Sequence, residues 1–213
     1  MYVKSRMTTN PFIISPEHTI PDAQEIMMKH GIRRLPVVKN GKLVGVVTKE
    51  DIERYSPSKA TSLSMSEITY LLSKTKIKQI MTKDPVVIPP NALLEEAAIL
   101  MRDQRVGFLP VVDGDKLVGI ITESDIFDAF IELLGFRERG TRFTIEAIDE
   151  PGVLLKLISI FTGYGANITR VAVYRGAGGK SDVVVGISSL NTDEIEKSIE
   201  EQGFKIRYKL QNK

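Results

Sequence analysis

Apolar residues follow a helical spacing in two separate stretches of the chain, and two short strand-like runs come after each of them. The helical positions are Ala23, Ile26 and Met27 in the first stretch and Ala97, Leu100 and Met101 in the second. Strands are predicted at Arg34–Val38 and Leu43–Thr48 after the first helix. Asn40-Gly41 between them is a strong hairpin-turn signal, and Asp113-Gly114-Asp115 takes that place in the second stretch.

A short β-rich run precedes each helix, at Phe12–Ile14 and Val86–Ile88, and a further helix follows each last strand. The pattern therefore predicts a β-α-β-β-α unit that occurs twice. Residues 7–52 align with 81–126 without a gap at an offset of 74, and about 18 of about 46 positions are identical. Because one unit is too small to cover both faces of its sheet, two copies packed sheet to sheet are expected to complete a core.

Between the copies, Ser56–Ser62 is predicted as a polar linker, and Met65–Leu72 as a short helix with an apolar side. The serines and threonines of the linker indicate a loop and a helix cap rather than a phosphorylation site. After Gly140 a different unit begins. Its predicted elements are a strand at Thr141–Ile148, a helix at Gly152–Thr162, strands at Ala166–Tyr174 and Ser181–Ser188, a helix at Asp193–Gln202 and a strand at Lys205–Leu210.

The order of these last elements is βαββαβ, which predicts a ferredoxin-like fold. The expected fold class is thus mixed α/β and α+β, with a repeat pair followed by a smaller C-terminal domain. The expected boundaries are 1–60 for the first copy, 61–75 for the linker with its helix, 76–138 for the second copy and 139–213 for the C-terminal domain.

The composition, the charge and the absence of catalytic motifs argue against several classes of function. The 213 residues include no cysteine, which excludes disulfides, thiolate metal sites and a cysteine nucleophile. The net charge of +2 is spread along the chain, which argues against a nucleic-acid binder. No apolar leader or membrane-length run is present, so a cytoplasmic protein is expected. His18 and His30 have no carboxylate cluster near them in sequence, and no catalytic motif is found, so neither a metal site nor an enzyme is expected.

Thr-x-x-Asp occurs in both copies, as Thr48/Asp51 and Thr122/Asp125. One interpretation is a capping box, in which the hydroxyl and the carboxylate satisfy free amides at a helix N-terminus. The other is a ligand site, because a helix N-terminus attracts anions and a carboxylate can accept both hydroxyls of a ribose. The residues alone leave both interpretations open.

The repeat resembles the CBS domain in the Met-Thr near its start, in Leu-Pro-Val-Val, and in Gly-Lys-Leu-Val-Gly followed by Thr-x-x-Asp, over about residues 3–130. The resemblance implies a pseudo-symmetric pair with two clefts for AMP, ADP, ATP or S-adenosylmethionine as regulatory ligand, with no required cofactor. The first cleft would use Arg33, Arg34, Thr48, Asp51, Thr82, Val87 and Val106. The second would use Thr8, Ile13, Ile32, Phe108, Thr122 and Asp125.

The two clefts are expected to differ, because Arg33-Arg34 in the first copy corresponds to Gly107-Phe108 in the second. An arginine fork suits phosphate, so Asp51 and Arg34 are predicted to serve a phosphorylated ligand. The Asp125 cleft is predicted to take a less charged adenosyl group or to stay empty. The alternative for the arginine pair is a solvated strand edge.

The C-terminal domain resembles the ACT domain in Asp149-Glu150-Pro151-Gly152-Val153-Leu154 and Gly165-Ala166-Asn167-Ile168, over about residues 141–210. That resemblance implies side-by-side homodimers and an amino-acid effector held by Asp149, Gly152, Val153, Leu154, Asn167 and Ile168. A purely structural interpretation has Asp149 as the helix cap and Pro151 in the first turn. Arg175–Lys180 is glycine-rich but precedes no helix, so it is predicted as a hairpin loop and not a phosphate loop.

The domain order and the linker helix resemble the acetoin-utilisation B-type proteins of bacteria. This implies a non-enzymatic allosteric regulator that acts on a target protein, with acetoin utilisation as its setting. The alternatives are an enzyme, which would turn over its nucleotide, and a dimeric adaptor or transcription-related regulator that binds no nucleotide.

Overall fold

The computed structural model describes residues 1–57 and 64–213, and the chain divides into two compact units, Met1–Phe127 and Asp128–Lys213. Most of the predicted linker, from Ser58 onward, lies outside the described residues. Among the helices of the described residues, none is long and apolar enough to cross a membrane.

The first copy of the repeat contains one 3₁₀ helix, three strands and two α-helices. They are the 3₁₀ helix Val3–Ser5, β1 Thr8–Thr9, α1 Ile20–His30, β2 Arg34–Lys39, β3 Lys42–Thr48 and α2 Lys49–Tyr55. The hairpin turn between β2 and β3 is as predicted, with Asn40 at φ 51° and Gly41 at φ 79°. Positive φ at both turn residues is the geometry that Asn-Gly favours, since it matches the twist of the strands.

The second copy follows α3 Met65–Lys74, which confirms the predicted linker helix. Its elements are α4 Ile77–Ile80, β4 Thr82–Lys83, α5 Leu94–Gln104, β5 Phe108–Asp113, β6 Lys116–Thr122 and α6 Glu123–Leu133. The helices and hairpins of both copies thus lie where the periodicity predicted them.

The predicted first strands at Phe12–Ile14 and Val86–Ile88 are wrong. In each run only the last residue forms a bridge, Ile14 to Val37 and Ile88 to Val111, while the strands lie earlier at β1 and β4. Ile14 and Ile88 are 2% and 3% exposed, whereas Phe12 is 49% exposed. One buried side chain anchors each run, and the run does not form a ladder.

The two copies exchange their first strands, and the strands of both copies join in one six-stranded sheet, whereas two separate sheets packed against each other were predicted. β1 of the first copy pairs with β6 of the second, and β4 of the second pairs with β3 of the first. A Cβ on Gly45 would lie 2.7 Å from the Thr82 carbonyl oxygen, and one on Gly119 would lie 2.8 Å from that of Thr8. The glycine of Leu-Val-Gly therefore recurs because the exchanged strand passes too close for any side chain.

The core of the first copy consists of apolar residues from α1, β2, β3, α2 and the preceding bridge. They are Ile14, Ile20, Ala23, Met27, Leu35, Val37, Val47, Ile52 and Ile77. Full burial of each larger side chain stabilises the fold by about 1.5–3 kcal/mol relative to its exposure. Ile52 lies one residue after Asp51, so α2 is fixed on the core beside the Thr-x-x-Asp motif.

The C-terminal unit has the predicted βαββαβ order. Its elements are β7 Gly140–Ile148, α7 Val153–Gly163, β8 Ile168–Arg175, β9 Lys180–Ile187, α8 Asp193–Glu201 and β10 Lys205–Asn212. The sheet order is β10-β7-β9-β8 with every neighbouring pair antiparallel. Both helices contribute to one core with the sheet, in which Phe143 and Phe161 pack with ring centroids 5.7 Å apart.

The predicted helix cap by Asp149 is wrong. α7 begins one residue after its N-cap, Gly152, which has φ 89° and makes no side-chain cap. Asp149 lies three residues too early to reach the free amides and accepts a hydrogen bond from Arg175 Nε at 3.0 Å instead. Pro151 precedes the N-cap, so it belongs to the turn before α7 and not to the first helical turn.

Candidate functional site

Thr48 and Asp51 form a capping box at the start of α2. Asp51 Oδ2 accepts hydrogen bonds from the Thr48 amide at 2.9 Å and from Thr48 Oγ1 at 2.7 Å, and Thr48 Oγ1 accepts one from the Asp51 amide at 3.1 Å. Thr122 and Asp125 repeat this arrangement at the start of α6, with 2.7 Å from each Thr122 donor to Asp125 Oδ2. The capping interpretation of Thr-x-x-Asp is confirmed in both copies.

The cap uses one carboxylate oxygen of Asp51. The other, Oδ1, lies 3.4 Å from a terminal nitrogen of Arg54, whose side chain is 78% exposed. The Asp51 side chain itself is 10% exposed, so only the Arg54 end of the ion pair lies in solvent. If Arg54 turns into solvent, Oδ1 becomes available to a ligand hydroxyl while Oδ2 keeps the cap, so capping and ligand binding are compatible.

Five of the residues predicted for the first cleft line one cavity of about 410 Å³, called the Asp51 cleft from here on. They are Arg34, Thr48, Asp51, Thr82 and Val106. The strand exchange explains why they meet, since β4 brings Thr82 beside Val46 of β3, two residues before Thr48. This volume lies in the range of small-molecule sites.

Two residues predicted for this cleft lie elsewhere. Arg33 lines a separate groove with Met28 and Lys49, and Val87 lines another depression. Val86 takes the place expected for Val87 in the Asp51 cleft. Val86 is half-buried, whereas Val87 is 42% exposed, a difference that the sequence of two adjacent valines does not contain.

Phe108, predicted for the second cleft, lines the Asp51 cleft instead. It is 6% exposed, and the Arg34 guanidinium carbon lies 5.4 Å from the centre of its ring. Arg34 and Phe108 are equivalent residues of the two copies, so their contact places both close to the pseudo-twofold axis. A residue near that axis borders both halves of the pair, so alignment of the two copies does not assign it to one cleft.

Of the other residues predicted for the second cleft, the structure brings some close to the Thr122/Asp125 cap and not others. Thr8 of β1 pairs with Ile120 of β6, two residues before Thr122, so strand exchange brings Thr8 toward the Thr122/Asp125 cap. Ile13 is 49% exposed. Ile32 packs against the core of the first copy and lines the same groove as Arg33.

Four charged residues that line the Asp51 cleft were not predicted from the sequence, Glu50, Arg54, Asp84 and Arg105. Arg54 follows Asp51 by three positions on the same helix, and this spacing was a usable signal. Among the residues described, no group of three or more His, Asp or Glu side chains could hold a metal ion. The charged residues that line the cleft are arginines, aspartates and a glutamate.

The predicted effector residues of the C-terminal unit fall into two groups. Asp149, Gly152, Val153 and Leu154 follow the end of β7, while Asn167 and Ile168 lie at the start of β8. Ile148 pairs with Lys180, and Ile168 pairs with Ile187, so the groups are at opposite ends of the sheet. At about 3.3 Å per residue the separation is roughly 23 Å, and a single chain does not bring the two groups together.

The CBS domain family model matches residues 3–58 and 77–132, more than half of the chain. The CBS domain-containing protein YhcV of Bacillus subtilis is 32% identical over 124 residues, which are 58% of this chain and 81% of that protein. An inosine-5'-monophosphate dehydrogenase of Korarchaeum cryptofilum is 32% identical over 139 residues, which are 65% of this chain but 26% of the dehydrogenase. The chain spans about a quarter of that enzyme.

Two solved structures resemble this chain over the repeat pair. A candidate acetoin utilization protein (AcuB) from Vibrio cholerae has 35% identity and a TM-score of 0.54, covering 65% of this chain and 96% of its own. CBSX2 of Arabidopsis thaliana, solved in complex with AMP, has 30% identity and a TM-score of 0.51, covering 62% and 96%. From the family match, the repeated motif and this likeness together, the chain belongs to the CBS domain family and carries two copies of the domain.

Proposed function

We propose that this chain is a non-enzymatic regulatory sensor that binds an adenosyl ligand, AMP, ADP, ATP or S-adenosylmethionine, in the Asp51 cleft. The observation that carries the proposal is the shared cleft: Thr48 and Asp51 of one copy line it with Thr82 and Val106 of the other. A ligand that bridges two copies favours the arrangement in which both are in place. Binding is thereby coupled to the conformation of the pair.

Each part of an adenosyl ligand has a matching group in the cleft. Asp51 Oδ1, once Arg54 turns away, accepts a ribose hydroxyl, and Val86 and Val106 supply an apolar wall for the adenine. Arg34 is held against Phe108 and presents its guanidinium to a phosphate. CBSX2 binds AMP, and protein MJ0100, at 30% identity and TM-score 0.51, binds 5'-methylthioadenosine and S-adenosylmethionine, which supports this ligand class.

The second cleft, around Thr8, Ile13, Ile32, Thr122 and Asp125, takes a less charged adenosyl group or stays empty. Phe108 is left out of this set because it lines the Asp51 cleft. The equivalents of Arg34 and Arg54 in the second copy are Phe108 and Asp128, and neither offers positive charge to a phosphate. A difference between the clefts lets one respond to ligand while the other serves the fold.

The C-terminal unit is proposed to act as an ACT domain, for homodimerisation, for binding of an amino-acid effector, or for both. Its βαββαβ order and its sheet order support the assignment. Asp149 and Asn167 lie at opposite ends of the sheet, so an effector site that uses both requires a second chain. The same proposal includes the domain limits 1–60, 61–75, 76–138 and 139–213. It also includes a target protein on which the regulator acts. The likeness to the candidate AcuB protein supports acetoin utilisation as the setting.

A second candidate function is a dimeric adaptor or transcription-related regulator that binds no nucleotide. The observation in its favour is the complete capping box in both copies, which accounts for Thr-x-x-Asp without a ligand. The two candidates differ in one measurable respect, because only the sensor is stabilised by an adenosyl compound.

A thermal-shift panel of AMP, ADP, ATP, S-adenosylmethionine and NAD tests the proposal. A ligand at 100 times its Kd adds about 2.7 kcal/mol, which is several degrees of Tm for a chain of this size. Asp51→Ala should abolish the ligand-induced shift, whereas Asp125→Ala, which loses an equivalent cap, should keep it. If no adenosyl compound shifts the parent, the adaptor replaces the sensor.

A further inference from the structure

Arg105 has an unusual backbone conformation for its residue type. It is the C-cap of α5 with φ 53°, in the left-handed region. Within the described part of the chain, the other non-glycine residues with positive φ are Asn10, Asn40 and Asp84. Asn and Asp tolerate this region because their short polar side chains bond locally, whereas a long side chain is disfavoured there.

The first copy has a glycine at the equivalent position. Gly31 is the C-cap of α1 with φ 64°, and glycine suits a left-handed C-cap without strain. The second copy therefore carries an arginine where the fold itself favours glycine. Strain of this kind persists where the side chain has a use, so the surroundings of the Arg105 side chain indicate what that use is.

Arg105 lines the Asp51 cleft together with Arg34 and Arg54. The three arginines come from three different elements, the C-cap of α5, β2 and α2. The equivalent residues in the other half of the pair are Gly31, Phe108 and Asp128, none of which is basic. The basic groups are therefore a property of one cleft and not of the repeat.

Three acidic residues, Glu50, Asp51 and Asp84, also line this cleft. It is thus no simple basic patch that would attract any anion. A ligand that suits both kinds of group must donate hydroxyls to carboxylates at one end and present an anion to guanidinium groups at the other. A phosphorylated nucleoside has both properties, whereas inorganic phosphate and a neutral nucleoside each have only one.

We propose that Arg105 is a specificity-determining residue of the Asp51 cleft, which selects adenosine compounds that carry a phosphate over neutral or cationic adenosyl compounds. The inference rests on the proposed function of this cleft. It adds to that function a direction of preference, AMP and ADP over adenosine, 5'-methylthioadenosine and S-adenosylmethionine. It also assigns the preference to Arg105, whose equivalent in the first copy is Gly31.

The test is isothermal titration of the full chain with adenosine, AMP and ADP, using the parent, Arg105→Gly, Arg105→Lys and Arg102→Ala. Arg105→Gly installs the residue of the first copy. It should weaken AMP and ADP about five- to twentyfold, as expected for loss of a charge-assisted contact in a partly exposed site, and change adenosine by less than about twofold. Arg105→Lys should retain most of the affinity for AMP.

The melting temperature without ligand separates this role from a structural one. Arg105→Gly relieves a disfavoured conformation, so Tm should stay equal or rise. Arg102→Ala removes one positive charge from the exposed face of α5, outside the cleft, and should leave all three affinities unchanged.

Three results would overturn the inference while the proposed function stands. They are unchanged AMP affinity in Arg105→Gly, equal weakening of AMP and adenosine, and an effect of Arg102→Ala as large as that of Arg105→Gly. If the parent binds none of the three compounds, the inference falls, and the proposed function falls with it only if ATP and S-adenosylmethionine also give no thermal shift. Asp51→Ala tests the cleft itself, since it should abolish binding of adenosine as well as of AMP.

Discussion

The two copies of the repeat agree where the fold needs them to and differ around one cleft. Gly45 and Gly119 both face an exchanged strand, and Thr48 and Thr122 both cap the next helix. By contrast, Arg34, Arg54 and Arg105 correspond to Phe108, Asp128 and Gly31. Residues that the copies share explain the architecture, and three arginines that one copy of each equivalent pair lacks line the proposed ligand site. Within a duplicated chain, the second copy serves as an internal reference for what the fold alone requires.

The largest effect on stability is expected when the glycine that both copies share beside the exchanged strand is replaced. Gly45→Ala and Gly119→Ala each place a methyl group under 3 Å from a backbone carbonyl oxygen, which cannot move without loss of the exchanged strand. Each should lower the free energy of unfolding by about 1–3 kcal/mol, the usual range for overpacking. Urea unfolding followed by circular dichroism measures it. Gly163→Ala is the control, since its Cβ would meet nothing within 4 Å.

An equal effect in both copies is expected from the helix caps. Thr48→Ala and Thr122→Ala each remove the hydroxyl that accepts from the N3 amide, at 3.1 and 3.4 Å respectively. Each should lower the free energy of unfolding by about 1 kcal/mol. Denaturant midpoints compare the two directly. If Thr48→Ala were clearly the milder, Thr48 would not serve mainly as a cap.

A smaller effect distinguishes the copies at the start of their first helices. Asp22 accepts from both the Thr19 amide and Thr19 Oγ1, and the amide hydrogen bond is the main reason why its pKa is lowered below 3.8. In the second copy Leu93 replaces Thr19, and Glu96 accepts only from the Leu93 amide. The Asp22 carboxylate thus stabilises the folded state above its unfolded pKa, and this contribution is lost as pH falls through the lowered folded value.

The measurement is Tm of the parent, Asp22→Ala and Glu96→Ala between pH 7 and about pH 2. At neutral pH, Asp22→Ala should have the lower Tm of the two variants, because it loses two hydrogen bonds instead of one. Its deficit relative to the parent should shrink on acidification below about pH 4. A deficit that is independent of pH would show that packing, and not the carboxylate, is responsible.

The smallest effect concerns the contact between the two hairpin turns. Lys42 Nζ lies 2.6 Å from Asp115 Oδ2, but the side chains are 65% and 77% exposed. Exposed ion pairs contribute little because solvent screens them. Asp115→Ala should therefore leave Tm unchanged within error at physiological salt. A drop of several degrees would mean that this link between the copies matters more than the exchanged strands.

The sequence predicted those elements that have a period or a turn signal. Ala23 and Met27 recur at helical spacing, and Asn40-Gly41 requires a tight turn, so α1 and the first hairpin could be located without coordinates. The exchanged strands could not be predicted, because β1 and β4 are two residues long and their partners lie more than 30 positions away. The local pattern of apolar and polar residues does not show whether a short strand pairs within its own copy or with the other copy.

The residues that both copies repeat were predicted for one cleft, and several others that line the same cavity were not. Asp51, Thr48 and Thr82 were located because the repeat marks them. Phe108 was assigned to the second cleft but lines the Asp51 cleft, since alignment of two copies does not show which residues meet at their axis. Arg105 was overlooked because its meaning depends on a backbone angle, and sequence alone does not contain that angle.

We propose the Asp51 cleft as the one of the two clefts that binds a phosphorylated ligand. The decisive measurement is isothermal titration of AMP into the parent, Asp51→Ala and Asp125→Ala, since the two variants lose equivalent helix caps. We expect one AMP per chain in the parent, no binding in Asp51→Ala and an unchanged Kd in Asp125→Ala. Loss of AMP binding in Asp125→Ala with retention in Asp51→Ala would show that the other cleft is the phosphate site.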